Sequence, residues 1–129
     1  MNGLRLIFAS ALLTGLSACA TLGLGSGSDL DKLSGDWDVD LRPDFSEPAE
    51  DQPMSLEVDR DGTVTGRFYD SPILAGRAGA GQDRICASFR TSDNTGAYEH
   101  AACLEDGMLF GQTWSEGREF VTPWTATRD

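Results

Sequence analysis

Apolar and polar residues alternate over short segments of this chain, which is the pattern of β-strands with one buried face. Turn signals rich in Gly, Asp, Asn and Pro separate these segments, and no stretch after the N-terminal region has the spacing of an amphipathic helix. The pattern predicts strands at residues 35–42, 54–59, 63–70, 72–78, 84–91, 97–104, 108–114 and 118–127. Residues 43–53, which are acidic and include three prolines, are predicted to form an irregular loop.

Eight short strands joined by tight turns favour a small antiparallel up-and-down β-barrel, because closure removes the exposed edges of a sheet. A β-sandwich is the alternative, but the long crossovers that sandwiches use are not visible in the sequence. The turn at residues 60–62 tests the pattern, since only a three-residue loop ending in Gly62 keeps the large apolar residues on one face. The pairs predicted from that loop are Val58–Val64, Leu56–Gly66 and Met54–Phe68.

The same reasoning gives the side chains that face the barrel interior in the later strands. Residues 105–107 and 115–117 are each predicted to be three-residue loops, which sets the phase of the last two strands. The polar and aromatic residues then placed inside are the candidate ligand-binding residues: Tyr98, His100, Gln112, Trp114, Arg118 and Trp124. An eight-stranded barrel is just wide enough to be filled by such side chains or to hold one small ligand.

The N-terminus has the layout of an export signal, with a positive start (Met1 to Arg5) and an apolar run (Leu6 to Leu16). The next residues complete the segment Leu16-Ser17-Ala18-Cys19, which resembles the lipobox of bacterial lipoproteins. That resemblance implies cleavage after residue 18 and lipid attachment to Cys19. Since Ala20 follows the cysteine, it also implies anchoring in the outer membrane, with the protein facing the periplasm.

The expected organisation is a signal peptide at residues 1–18, a lipidated Cys19 with a flexible Gly/Ser-rich tether to residue 32, and a barrel domain at residues 33–129. Cys86 and Cys103 remain once Cys19 is lipidated, and two thiols in an oxidising periplasm usually pair. A loop at residues 93–96 places them directly opposite each other on the outer face. A disulfide that joins neighbouring strands is therefore predicted.

Gly35-Asp36-Trp37 opens the first strand and resembles the Gly-x-Trp signature of lipocalins and avidins. The resemblance implies a calycin-like barrel in which Trp37 closes one end and a basic residue of the last strand, here Arg128, packs across it. Residues 61–69 are also similar to the second hairpin of avidin and streptavidin. Positions that hold biotin in avidins are Val39, Pro43, Phe68 and Asp70 here, so biotin binding is not expected.

The formal net charge is −11, and it becomes −12 without residues 1–18, which contain Arg5 and no acidic residue. A surface this acidic repels nucleic acid, so nucleic acid is not an expected partner, whereas a basic protein is a possible one. With one His and no Gly-x-Ser-x-Gly, HExxH or phosphate-loop motif, the sequence predicts a non-catalytic protein without a cofactor or metal.

Two functions remain open from the sequence. The first is binding of a small hydrophobic or aromatic molecule in the barrel lumen, and the second is binding of a basic envelope protein by a filled barrel. The second resembles lysozyme-inhibitor lipoproteins in architecture, and its surface would be the acidic loop that carries Asp44, Glu47, Glu50 and Asp51. An open lumen of about 300 Å³ or more would favour the first function.

Overall fold

Residues 27–129, which the computed structural model describes, alternate between buried and exposed side chains along almost every strand. They begin with α1 (Gly27–Leu30) and a 3-10 helix (Asp31–Leu33). The strands are β1 (Gly35–Asp40), β2 (Asp51–Val58), β3 (Thr63–Phe68), β4 (Ser71–Pro72), β5 (Leu74–Gly81), β6 (Arg84–Asp93), β7 (Gly96–Glu105), β8 (Met108–Ser115) and β9 (Phe120–Arg128). The predicted signal segment 1–18 and lipidation site Cys19 lie outside the described residues.

The sheet closes on itself in the order β2-β1-β9-β8-β7-β6-β5-β3, with a further β2–β3 pairing that joins the two ends. All neighbouring strands are antiparallel, and β4 lies outside the barrel beside β3. Barrel strands that follow one another in the sequence also pair with one another, and only the β9–β1 pair joins strands distant in the sequence. The topology is therefore up-and-down. The prediction of an all-β, eight-stranded barrel is therefore confirmed, and the sandwich alternative is wrong.

The β2–β3 hairpin has the predicted register, with Val58 opposite Val64, Leu56 opposite Gly66 and Met54 opposite Phe68. Gly62 ends the turn with φ +84°, in the region that favours glycine. The large apolar residues of both strands are buried, which is why a one-residue slip is disfavoured. Here the hydrophobic pattern and the turn chemistry agree.

The β6–β7 hairpin also has the predicted register, and Cys86 and Cys103 form a disulfide with their Cα atoms 4.0 Å apart. On the same outer face the guanidinium of Arg90 pairs with the carboxylate of Glu99 (Nε to Oε1, 2.6 Å). The loop is shorter than predicted, since Asp93 already pairs with Gly96. The disulfide therefore joins adjacent strands from outside the barrel, as the sequence predicts.

Some boundaries differ from the prediction. Strand β2 starts at Asp51 and includes Pro53. The carbonyl of Pro53 accepts a hydrogen bond from the N–H of Tyr69 (3.0 Å), which lies just past the end of β3. Because the backbone of Pro53 faces β3 only beyond the end of that strand, the missing proline N–H costs the β2–β3 ladder little. Strand β5 continues to Gly81, past the predicted end at residue 78, and the tight turn is Gln82-Asp83, with φ +51° and +58°. The last residues of the predicted tether form α1 and the 3-10 helix, in which Leu30 is buried.

The predicted phase of β8 is wrong by one residue. The turn is a two-residue one, Asp106-Gly107 with φ +50° and +81°, so that Glu105 pairs with Met108. Because side chains alternate along a strand, this shift reverses every side chain. The inner residues are Leu109, Thr113 and Ser115, which are buried, and the outer residues include Phe110, Gln112 and Trp114, which are exposed.

One end of the barrel is closed by Trp37. Its indole Nε1–H donates to the carbonyl of Leu33 (3.0 Å), and both side chains are buried. The guanidinium carbon of Arg128 lies 4.3 Å from the ring centroid of Trp37, while Nη1 donates to the carbonyl of Ser34 (2.9 Å). The predicted contact of Arg128 across Trp37 is present and is a cation–π interaction.

The glycine of the Gly-x-Trp motif has a local reason. Gly35 has φ +134°, and a Cβ added there would lie 2.6 Å from Nη1 of Arg128. A side chain would therefore both strain the backbone and displace the arginine that covers Trp37. This motif closes the end of the barrel at which the N-terminal helices lie.

Candidate functional site

The opposite end of the barrel is open and forms a cavity of about 550 Å³, called here the cup. The loops after β1, β3, β6 and β8 surround it, because up-and-down topology places alternate connections at the same end. The cup lies within the walls of the barrel and ends above the core. Its lining residues are Leu41, Glu50, Phe68, Tyr69, Asp70, Ser71, Thr91, Asp93, Tyr98, His100, Thr113, Arg118, Phe120 and Thr122.

The floor of the cup is a buried polar chain centred on His100, which is 3% exposed. One ring nitrogen, Nε2, lies 2.8 Å from Oγ1 of Thr91, and the other, Nδ1, lies 2.8 Å from Oγ1 of Thr113. The indole Nε1–H of Trp124 donates to the same Thr113 oxygen (2.9 Å). In the neutral imidazole one ring nitrogen donates to its threonine oxygen and the other accepts a proton from its threonine hydroxyl, so both nitrogens have a hydrogen-bond partner.

Burial away from water lowers the pKa of His100 from 6.5 to about 4. No acidic side chain is hydrogen-bonded to the ring to offset this effect, since both of its partners are threonine hydroxyls. The imidazole is therefore neutral at physiological pH, with both nitrogens occupied. The two hydrogen bonds hold the ring in place as the floor of the cup.

The walls just above and below the floor are aromatic. The ring of Phe68 stacks on Trp124 (centroids 5.8 Å apart, 30° between planes) and meets His100 edge-on (4.6 Å, 75°). Phe89 stacks on the other side of the imidazole (4.9 Å, 27°). These contacts fill the middle of the barrel, so the cup is a recess at one end and not a channel through the molecule.

The rim on one side is a hydrogen-bonded cluster. The hydroxyl of Tyr98 donates to Oδ2 of Asp93 (3.0 Å) and lies 2.7 Å from Oγ1 of Thr95. Nη1 of Arg118 donates to the same Tyr98 oxygen (3.4 Å), and its guanidinium lies 5.4 Å from the ring centroid of Phe120. Hydrogen bonds from Thr95 lower the pKa of Asp93, and the bond to Tyr98 raises that of Arg118. This side of the rim thus balances its own charges.

The structure brings together only part of the candidate set proposed from sequence. Tyr98 and His100 line the cup, Arg118 lies at its rim in the β8–β9 loop, and Trp124 lies beneath the floor. Arg118 was expected on a strand, but β9 begins only at Phe120. The inward placement of Gln112 and Trp114 is wrong, because the β8 turn is shorter than predicted; both are exposed on the outer face.

Several residues of the cup were not singled out from the sequence. Thr91 and Thr113, which hold His100, follow the alternation of β6 and β8, and the correct β8 turn would have identified Thr113. Three others lie in loops or at loop ends, where alternation gives no orientation: Glu50, Tyr69 and Asp70. Tyr69 has φ +54°, so its side chain does not continue the alternation of β3.

A second recess, of about 690 Å³, lies on the outside of the barrel and is called here the outer groove. It runs beside the disulfide, over the outward side chains of β8 and β9, and under the loop that follows β1. Three of its apolar residues are strongly exposed: Phe45 (76%), Phe110 (47%) and Val121 (56%). An exposed apolar surface of this kind is typical of a protein contact, whereas the cup is shaped for a small molecule.

Within residues 27–129, no group of three or more His, Cys, Asp or Glu side chains is placed to hold a metal ion. In the same range, no helix has the length and apolar character needed to cross a bilayer. Comparison of the chain with protein-family models, with curated proteins and with solved structures found no match.

Proposed function

We propose that the cup binds a small apolar or aromatic molecule and that the protein is non-catalytic. The observation that supports this most directly is the cavity of about 550 Å³ at one end of a barrel whose other end is closed by Trp37. Ligand pockets usually measure about 300–1,000 Å³ and are lined by apolar and aromatic side chains with a few polar groups. The cup has that size, and its lining combines four aromatic rings, those of Phe68, Tyr69, Tyr98 and Phe120, with a larger number of polar side chains.

The polar chain of the floor also supports binding over catalysis. His100 is bonded to the hydroxyls of Thr91 and Thr113, and no carboxylate is bonded to the imidazole as in a nucleophile–base–acid triad. A fixed floor keeps the recess open without a bound molecule and lowers the ordering cost of binding. The cup thus has the properties of a preformed receptor.

Filling the cup should abolish binding. Thr122 borders both recesses, but on β9 it shares the inward phase of Phe120 and Trp124, so Thr122→Phe adds a ring on the side of the cup. We expect the dissociation constant of the neutral probe N-phenyl-1-naphthylamine, measured by calorimetry, to rise about tenfold or more. The matched control is Gln112→Phe, which adds the same ring to the outer groove and should leave the constant within about twofold.

The reverse result would overturn the proposal, namely an unchanged affinity in Thr122→Phe and a weakened one in Gln112→Phe. Absence of probe binding to the native protein at millimolar concentration would do the same. The outer groove would then become the stronger candidate, and with it the second function, interaction with a basic partner protein. Its position beside the acidic loop and its exposed Phe45, Phe110 and Val121 favour that alternative.

We further propose that the protein is anchored by lipid at Cys19 in the outer membrane, facing the periplasm. The support is the segment Leu16-Ser17-Ala18-Cys19 and its distance from the N-terminus. In bacteria grown with radioactive palmitate, the native protein should carry label in the membrane fraction. The Cys19→Ser variant should carry none, because the acyl chains have no thiol to join. An unlabelled native protein would refute the anchor.

A further inference from the structure

The charges around the cup are not evenly balanced. Its lining includes three carboxylates, Glu50, Asp70 and Asp93, and one guanidinium, that of Arg118. Asp93 and Arg118 are linked through the hydroxyl of Tyr98, so they offset each other. Within residues 27–129, neither Glu50 nor Asp70 forms an ion pair. The guanidinium of Arg67 donates to the backbone carbonyl of Asp70 and not to its carboxylate. Two carboxylates at the mouth are therefore left outside any ion pair.

Strand order separates these groups in space. Glu50 ends the β1–β2 loop and Asp70 follows β3, so both lie on the part of the mouth formed by β1, β2 and β3. Arg118 is in the β8–β9 loop, across the barrel from β3 but next to β1, which pairs with β9. Its hydrogen bond to Tyr98 of β7 draws the guanidinium toward the β7 side of the mouth, away from Asp70.

An aromatic ring lies with the two free carboxylates. Tyr69, between Phe68 and Asp70, is 41% exposed and lines the cup. Both Tyr69 and Glu50 line the cup, and burial first, then the charge of Glu50, raise the pKa of the Tyr69 phenol. The phenol stays neutral at physiological pH. A cation placed there would meet two carboxylates and the face of an aromatic ring.

We infer that the ligand of the cup is an organic cation, an amine with an apolar or aromatic body, whose ammonium lies among Glu50, Asp70 and Tyr69. The body lies in the cup above the floor, against Phe120 and Tyr98. Aromatic faces with nearby carboxylates are a recurrent means of binding ammonium groups. The guanidinium of Arg118 over Phe120 is an example of the same contact within this cup. This inference rests on the proposed function of the cup.

The charged groups that line the cup also disfavour an anionic ligand. An anionic ligand would face two unpaired carboxylates, and the one guanidinium of the lining is already engaged with Tyr98. Both nitrogens of His100 are occupied, so the floor offers no imidazole to a carboxylate or phosphate. The net charge of the chain, −11, attracts cations from solution and repels anions.

Three probes that share a naphthylmethyl group and differ in charge test the inference: 1-naphthylmethylamine, which is cationic at pH 7, neutral 1-naphthylmethanol and anionic 1-naphthylacetate. We expect the cation to bind about tenfold more tightly than the alcohol, and the anion to bind most weakly. The double variant Glu50→Gln/Asp70→Asn should lose that advantage for the cation and keep the affinity for the alcohol within about twofold.

The control is Glu57→Gln/Glu105→Gln, which removes the same charge from exposed positions on β2 and β7. It should leave the affinity for the cation within about twofold. An equal loss in this control would overturn the inference, because overall charge would then explain the preference. Equal binding of cation and alcohol would also overturn it while leaving the proposed function intact. Failure of all three probes would overturn both.

Discussion

Replacement of Gly66 with alanine should lower the free energy of unfolding by about 3 kcal/mol or more. Gly66 has φ +132°, and a Cβ added there would lie 1.9 Å from the carbonyl oxygen of Ser55. That oxygen belongs to the backbone of β2, which is paired on both sides, so it cannot move without breaking the ladder. The contact lies at the β2–β3 pairing that closes the barrel.

The measurement is urea unfolding followed by circular dichroism, with Gly79→Ala as the matched control. A Cβ at Gly79 meets no atom within 4 Å, and its φ is not positive. The control should therefore stay within about 0.5 kcal/mol of the native protein. Equal stability of the Gly66→Ala variant and the native protein would mean that β2 and β3 are not paired as described.

Acidification should destabilise the protein through His100. Its pKa is about 4 in the folded state against 6.5 in an exposed histidine, so the unfolded chain binds a proton that the native protein excludes. Stability rises with pH wherever the unfolded state binds more protons. The contribution of neutral His100 is thus complete above about pH 6.5 and falls by about 3 kcal/mol as pH is lowered to 4.

The chain contains one histidine, so no other imidazole contributes in this range. Asp44, Asp61 and Asp93 have lowered pKa values from hydrogen bonds to nearby Ser or Thr residues, and their contribution is lost only below about pH 4. The free energy of unfolding should be measured from pH 7 to pH 4 in the native protein and in His100→Gln. The variant should lose most of the slope; an equal slope in both would refute a buried, neutral His100.

The sequence predicts the barrel well where turn chemistry and hydrophobic pattern agree. The β2–β3 hairpin has one large apolar set and a glycine in the required turn position, so only one register buries it. In β6–β7 the small and aromatic inner residues contrast with the Arg90–Glu99 pair outside. The register of each of these two hairpins was predicted correctly, including the partner of each cysteine.

Strand β8 was not predictable in the same way, because apolar residues occur on both of its faces. Leu109 is fully buried, while Phe110 and Trp114 are about half exposed, so hydrophobicity does not distinguish the two phases. The turn decides the phase, and Asp106 adopts a positive φ that aspartate tolerates better than most residues. The assumption of a three-residue loop therefore misplaced Gln112 and Trp114.

Only part of the candidate site was predicted, because alternation orients side chains on strands and gives no orientation for side chains in loops. Tyr98 and His100 are on a strand of known register, and alternation alone places them toward the interior. Glu50, Tyr69 and Asp70 reach the cup through loops, whose direction depends on how the closed barrel brings β1, β2 and β3 together. Charge at the mouth is thus a tertiary property, which a single sequence does not show.

The most direct test of the central claim is the position of a bound probe. In nuclear magnetic resonance of the isotope-labelled protein saturated with N-phenyl-1-naphthylamine, we expect intermolecular Overhauser contacts from the probe to Phe68, Tyr98 and Phe120 of the cup. Contacts to Phe110 and Val121 of the outer groove instead, or no contact to any residue, would contradict the account.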